Sequence, residues 1–321
     1  SIVGKRSSST EMGFIYIKPN ANVPRVVNII REVLDVFGIK IITEGKTVSS
    51  YLEDRNIFDK SYQELIDNAE VFEPIDLELT DGELGAFTAK FPGFSWSMLI
   101  KQKKLVSPIE LFEICDIGAE GLGELARTMP AENTVQIRKG LYVTRLDELP
   151  AKSKRKAPMY VVNAFYGTIR NSFIEPNTSV NYFVVEFDCS TVSWEDYLVD
   201  VLGDKVPSQA SPSSIRGAIF SDWKRLGIES APTAQYNCIH GSSSALEGLR
   251  DRMLWVKGNL VFTDLYGSRL LALRIPSALI KKILDAKTTK KGQGVVRHRC
   301  RNKNSEECTA IVLDALDKGE I

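Results

Sequence analysis

The segment NCIHGSSSALEGLRDRMLW, residues 237–255, contains His240, one of two histidines in the chain. Asn237 lies three residues before it and Asp251 eleven residues after it. Ser244 and Glu247 have the S-x-x-E spacing of a capping box, which starts a helix near Ala245. Leu246, Leu249 and Met253 then fall on one core face of that helix. His240, Gly241 and Ser242 are left just ahead of it, where unpaired backbone N–H groups and the positive end of the helix dipole favour an anion. A neutral imidazole beside an anion can attack a phosphoryl group. Asp251, about two turns into the helix, can reach back to orient the ring. The same spacing also fits an ordinary loop histidine before a well-capped helix.

The elements that must hold these groups can be read along the chain. GFIYIKP is a buried strand ending at Lys18. The helix VPRVVNIIREVLDVFG follows, with Val26, Ile30, Val33, Leu34 and Phe37 on one face and Gly38 just past its end. IKIIT is a second strand, so strand, helix and strand make a crossover unit with parallel or mixed pairing. Residues 47–70 read as helical and VNYFVVEFD, residues 180–188, as the clearest strand. From 71 to 158 the chain changes character and reads as an inserted subdomain, with Ser107 and Pro108 starting one of its helices. Beyond 256 lie an expected hairpin with Gly267 in its turn and two helices, 276–286 and 305–318.

Composition excludes several functions. Lys+Arg and Asp+Glu number 41 each, so no net positive field draws the chain to nucleic acid or to a membrane. No apolar run is long enough to span a bilayer. Five scattered cysteines without a CxxC pair read as reduced thiols, which points to a cytoplasmic protein. His298, Cys300 and Cys308 lack the spacing of a closed zinc site. The Ser-rich start (residues 1–12) reads as a disordered arm, and the basic stretch 287–303 as a solvated tail or a nucleic-acid contact. There is no Walker A loop and no protein-kinase signature.

NCIHGSSS, SSIRG upstream of it and YIKPN near the start occur in the order and spacing of one family. Together with NIFDKSYQEL, they resemble the nucleoside diphosphate kinases over roughly 14–62 and 159–256. The resemblance implies an α+β protein with a ferredoxin-like βαββαβ core over 13–70 and 159–256. A mixed α/β insertion (71–158) and a C-terminal extension (257–321) would complete it. It also implies transfer of the γ-phosphate of a nucleoside triphosphate to a nucleoside diphosphate through a phosphohistidine. ATP or another triphosphate would arrive with Mg²⁺ on its phosphates, with no metal ligand from the protein.

By position, His240 is then the nucleophile and Asp251, where the family usually has glutamate, its orienting carboxylate. Lys18 and Arg216 contact phosphates, Asn237 the ribose hydroxyl, and Gly241 lies beside the anion. Tyr62 helps to place Lys18 and the phosphates, and Phe165 is the candidate for stacking on the base. A homo-oligomer is raised by the family, although the insertion alters a region near surfaces that members use to assemble.

Two positions depart from the pattern. Val199 stands where the family has a phosphate-binding arginine, and Lys205 where it has a threonine. A lysine restores charge but not the planar fork of a guanidinium. The alternative function is therefore a nucleotide-binding or scaffold protein of the same fold with weak or lost catalysis.

Overall fold

The computed structural model describes residues 9–287 and 296–321. The start of the Ser-rich arm and the stretch TTKKGQG lie outside the described residues. The described residues form a mixed α/β structure with two four-stranded sheets, whose strands are β1 (Thr10–Ile17), β2 (Lys40–Val48), β3 (Leu105–Val106), β4 (Thr134–Arg138), β5 (Leu141–Leu146), β6 (Met159–Val162), β7 (Ser179–Asp188) and β8 (Ile239–Gly241). The residues divide into two compact units, one from 9–57, 175–286 and 296–321, the other from 58–174 with Lys287.

In the first unit the sheet order is β2-β7-β1-β8. β1 is antiparallel to both β7 and β8, and β2 is antiparallel to β7. Every pairing is therefore antiparallel, where the strand-helix-strand pattern had suggested parallel or mixed pairing. The reason is that β1 and β2 do run the same way but β7 lies between them. Helix α1 (Pro24–Val36) makes the crossover and buries Val26, Ile30, Val33 and Leu34. It ends where Gly38 takes φ +67°, a conformation that favours glycine.

Phe14 to Ile17 are almost wholly buried, as a central strand covered on both faces demands. Helices α2 (Ile215–Leu226) and α3 (Ala245–Trp255) carry Ile215, Ile219, Leu246 and Leu249 into the same core as β1.

The C-terminal segment belongs to that core as well. Tyr266, Leu270, Ile280, Ile283, Val312 and Ala315 pack into it. The expected hairpin around Gly267 is instead the helix Leu265–Ala272. Asp264 caps it by accepting from the amides of Tyr266 and Gly267. A Cβ at Gly267 would meet the Val261 carbonyl oxygen at 2.2 Å, so this glycine permits a close approach rather than a turn. Buried Asp264 also forms a two-pronged ion pair with Arg252, at 2.7 and 2.9 Å. Buried Glu11 on β1 accepts from Ser305 N and Oγ at 2.9 and 2.7 Å, which fastens the start of helix Ser305–Asp317 to the sheet.

The second unit is wider than the expected insertion. β6 pairs with β3 in parallel and with β5 antiparallel, giving the order β3-β6-β5-β4. Its fully buried MYVV run needs neighbours on both edges, and it finds them in this sheet. Residues 58–70 and 159–174, expected in the core, therefore fall in this unit. Ser107 caps its helix as expected, accepting from Glu110 N at 3.2 Å. Fully buried Asn163 joins three of the unit's segments, donating to the carbonyls of Leu65 and Gly140 and accepting from Tyr142 N.

Candidate active site

Three residues of β8 set the centre. Ile239, His240 and Gly241 pair with Ile17, Tyr16 and Ile15 of β1, which fixes the histidine on a ladder rung rather than in a free loop. The Tyr16 ring lies against the imidazole, with centroids 4.8 Å apart and planes at 20°, and Trp255 stacks behind Tyr16 at 4.3 Å. Just before the strand, Cys238 takes φ +66°, an uncommon conformation for a side chain-bearing residue, at the bend that turns Asn237 back toward Lys18.

Asp251 on α3 meets the ring, with Oδ2 2.9 Å from Nε2. The same oxygen accepts from Ser242 Oγ at 2.9 Å, and Ser242 N donates to the Phe14 carbonyl. The Asp251 side chain is 3 % exposed and that of His240 is 28 %, so the carboxylate is enclosed while one edge of the ring faces solvent. A carboxylate only accepts, so Nε2 carries a hydrogen, and in the neutral ring Nδ1 then carries the lone pair. Among the described residues nothing pairs with Nδ1.

A basic cluster lies beside the segment that leads into β8. Lys18, at the end of β1, donates to Asn237 Oδ1 at 2.7 Å, and its amide donates to the Cys238 carbonyl. Asn237 Nδ2 donates in turn to the Lys205 carbonyl at 3.4 Å. Arg216 lies in the first turn of α2, which Ser214 caps by accepting from Gly217 N. Its Nη1 donates to the Gly203 carbonyl at 2.6 Å and its Nη2 to that of Ile239 at 3.3 Å, while buried Nε has no partner.

Charges this close perturb one another. Burial, with Arg216 and Lys205 nearby, draws Lys18 down to about 7. Burial likewise draws Arg216 down to about 10, although Asp204 favours its charged form. The Cys238 thiol, between them, is pushed up to about 12 by burial in spite of both cations, so it stays protonated.

The helix end differs from expectation. Glu247 N donates to Ser244 Oγ as in a capping box, but the Glu247 carboxylate turns to Ser243 N at 2.8 Å instead of to Ser244 N. Ala245 N donates to the Lys303 carbonyl at 3.2 Å, and the Leu246 amide faces the Cys308 sulfur. The amides of Ser243, Ala245, Leu246 and Glu247 are therefore occupied by the protein itself, two of them by the C-terminal segment. The charge offered to an anion here then comes mainly from side chains. Gly241 serves packing: a Cβ there would meet Leu202 Cδ1 at 2.3 Å.

The structure thus brings His240, Asp251, Lys18, Arg216, Asn237, Gly241 and the Lys205 backbone into one cluster. Val199 is exposed on the π-helical turn Tyr197–Leu202 and offers no charge. Tyr62 and Phe165 belong to the second unit. There Tyr62 stacks on Phe58 at 4.5 Å, and buried Phe165 meets Tyr142 edge-on at 5.2 Å. Sequence reasoning did not assign Ser242 and Tyr16, which position Asp251 and the ring. Ser242, two residues from His240, was at least within reach of the motif.

Among the described residues no cluster of three or more His, Cys, Asp or Glu could hold a metal ion, and no helix is long and apolar enough to cross a membrane.

No protein-family model and no curated protein matches the chain. Among solved structures it is similar to the apo nucleoside diphosphate kinase of Encephalitozoon cuniculi, with 13% identity and a TM-score of 0.35 over 77% of this chain and 88% of that one. An NDP kinase of Pyrobaculum aerophilum matches at 12% identity and a TM-score of 0.36 over 78% and 97%. The nucleoside-diphosphate kinase of Borrelia burgdorferi, with bound vanadate and ADP as a transition-state mimic, matches at 15% and 0.35 over 79% and 90%. Likenesses this distant carry no functional weight.

Proposed function

We propose that the first unit is a ferredoxin-like βαββαβ core that moves the γ-phosphate of a nucleoside triphosphate to a nucleoside diphosphate through His240. The observation that carries this reading is the His240–Asp251 contact beside Lys18 and Arg216. One ring nitrogen is held by a buried carboxylate and the other has no partner among the described residues, while Arg216 bonds the carbonyl of Ile239, the residue before His240, and Lys18 bonds Asn237.

In the proposed step the Nδ1 lone pair attacks Pγ and the N–P bond forms. The bond from Pγ to the β,γ-bridging oxygen breaks, and the diphosphate leaves with that electron pair. The ring gains positive charge as it attacks, and Asp251 stabilises it through Nε2–H. Lys18 and Arg216 neutralise phosphate oxygens, and Asn237 holds Lys18 in place. An acceptor diphosphate then takes the phosphoryl group by the reverse path, and Nδ1 recovers its lone pair. Mg²⁺, bound to the nucleotide phosphates rather than to the chain, supplies further charge neutralisation.

Steady-state transfer from ATP to GDP tests this reading. Parallel double-reciprocal plots, with activity lost in His240→Ala, are the expected result. Intersecting lines, or activity that survives the substitution, would reject a phosphohistidine route. The alternative of nucleotide binding without transfer is favoured by Val199, which leaves the turn before Gly203 without a guanidinium. It predicts that ATP raises the melting temperature while no GTP is formed.

A further inference from the structure

We propose that Arg301, carried by the C-terminal segment, is a phosphate-binding residue of the His240 site. This rests on the nucleotide-binding part of the reading above.

The segment touches the loop that follows His240. Asn302 N donates to the Ser243 carbonyl at 2.9 Å, and the Lys303 carbonyl accepts from Ala245 N at 3.2 Å. These two bonds bracket the loop between β8 and α3 and seat the turn Cys300–Lys303 beside it. The turn is well fixed. Lys303 N bonds the Cys300 carbonyl at 3.0 Å, Asn302 takes φ +61°, and Cys300 is fully buried in the core. Arg301 and Asn302 are the exposed residues of that turn, and Arg301 is the charged one.

Its basic neighbours are already engaged. Arg297 donates to the carbonyls of Leu284 and Ala286 at the end of the preceding helix. Arg299 pairs with Asp314 and Glu320, both at 2.7 Å, and Lys303 with Glu307 at 3.0 Å. The Arg301 side chain has no hydrogen-bond or ion-pair partner among the described residues. Its charge is nonetheless felt at Arg216, whose protonated form it disfavours. An exposed guanidinium without a protein partner is free to take an anion that approaches the neighbouring cation.

The need for it follows from the site. The helix amides are occupied, Arg216 has two of its nitrogens on carbonyls, and Lys18 is only partly charged near neutral pH. A triphosphate brought to His240 needs more positive charge than these supply, and a guanidinium matches phosphate oxygens in pairs. The C-terminal segment then supplies from outside the sheet what the turn at Val199 does not.

Calorimetric binding of Mg·ATP to the full chain, its Arg301→Ala and its Arg301→Lys variants tests the assignment. The expected result is about tenfold weaker binding for the alanine variant and an intermediate loss for lysine, with a much smaller effect on AMP. The melting temperature without nucleotide should be little changed, because the exposed Arg301 side chain has no hydrogen-bond or ion-pair partner among the described residues. Equal ATP affinity in all three proteins would overturn the proposal even if His240 becomes phosphorylated. A tenfold loss in a protein whose His240 never takes a phosphate would uphold Arg301 and reject the transfer reaction. No binding of ATP by the unaltered chain would reject both.

Discussion

Asp251 Oδ2 accepts from two donors at the same distance, His240 Nε2 and Ser242 Oγ, each at 2.9 Å. One buried oxygen thus joins the histidine to the strand-helix loop, and the remaining ring nitrogen has no partner among the described residues. A shorter carboxylate than glutamate suffices because α3 starts so soon after β8, with three residues between them.

Removing that oxygen should slow chemistry more than binding. Asp251→Ala should reduce the rate of His240 phosphorylation roughly ten- to a hundred-fold, the worth of a hydrogen bond to a charged group. ATP affinity should change little. Rapid-quench kinetics with ATP in excess measures the rate, and an unchanged rate would remove Asp251 from the mechanism.

Lys18 gives a pH dependence with a definite sign. Its folded value near 7 lies below the 10.5 of an ordinary lysine, so between these values the unfolded chain holds a proton that the folded chain has released. Stability of the unliganded protein should therefore gain a contribution that grows as pH rises from about 7 toward 10.5. Phosphates beside the amine favour its charged form, so ATP binding at pH 8 should take up a proton. Affinity should fall with rising pH, at most tenfold per unit. Titration calorimetry in buffers of different ionisation heat counts the proton. Release instead of uptake would contradict the placement of Lys18 at the anion.

The Arg252–Asp264 pair tests how the C-terminal segment is held. Both side chains are almost fully buried, and Asp264 also caps the helix Leu265–Ala272. Burial alone would raise the Asp264 carboxyl, yet Arg252 and the cap hold it below the usual range. Asp264→Ala strands a buried guanidinium and should cost about 3–5 kcal/mol in denaturant unfolding. A loss below about 1 kcal/mol would show that this pair does not hold the segment.

Gly217 tests the support of Arg216. A Cβ there would lie 1.9 Å from the Ser211 carbonyl oxygen, a backbone atom that cannot rotate aside. Gly217→Ala should cost about 1–3 kcal/mol and weaken ATP binding together with stability, because the loop 211–214 leads into the turn that carries Arg216. Binding that survives a measured loss of stability would separate the two roles.

Much of this was legible in the sequence. The separation of His240 and Asp251, the Ser244 cap and the buried run ending at Lys18 each follow from local periodicity or hydrogen-bond chemistry, and the structure places all of them in one cluster. What escaped was non-local. Gly267 looked like a turn because glycine marks both turns and close approaches, and only the Val261 carbonyl tells them apart. The strand β6 looked like a return to the core because its apolar run does not say which sheet receives it. The occupation of the α3 amides depends on backbone atoms some sixty residues away, at Lys303, which no local pattern encodes.

The most direct test of the central claim is chemical. The full chain and His240→Ala are incubated with γ-labelled ATP and Mg²⁺, quenched in alkali, and the label is then challenged with acid or with GDP. The account predicts one alkali-stable, acid-labile phosphate per chain, absent from the alanine variant and chased into GTP. A chain that binds ATP but takes no label, or takes one that survives acid and the loss of His240, would contradict it.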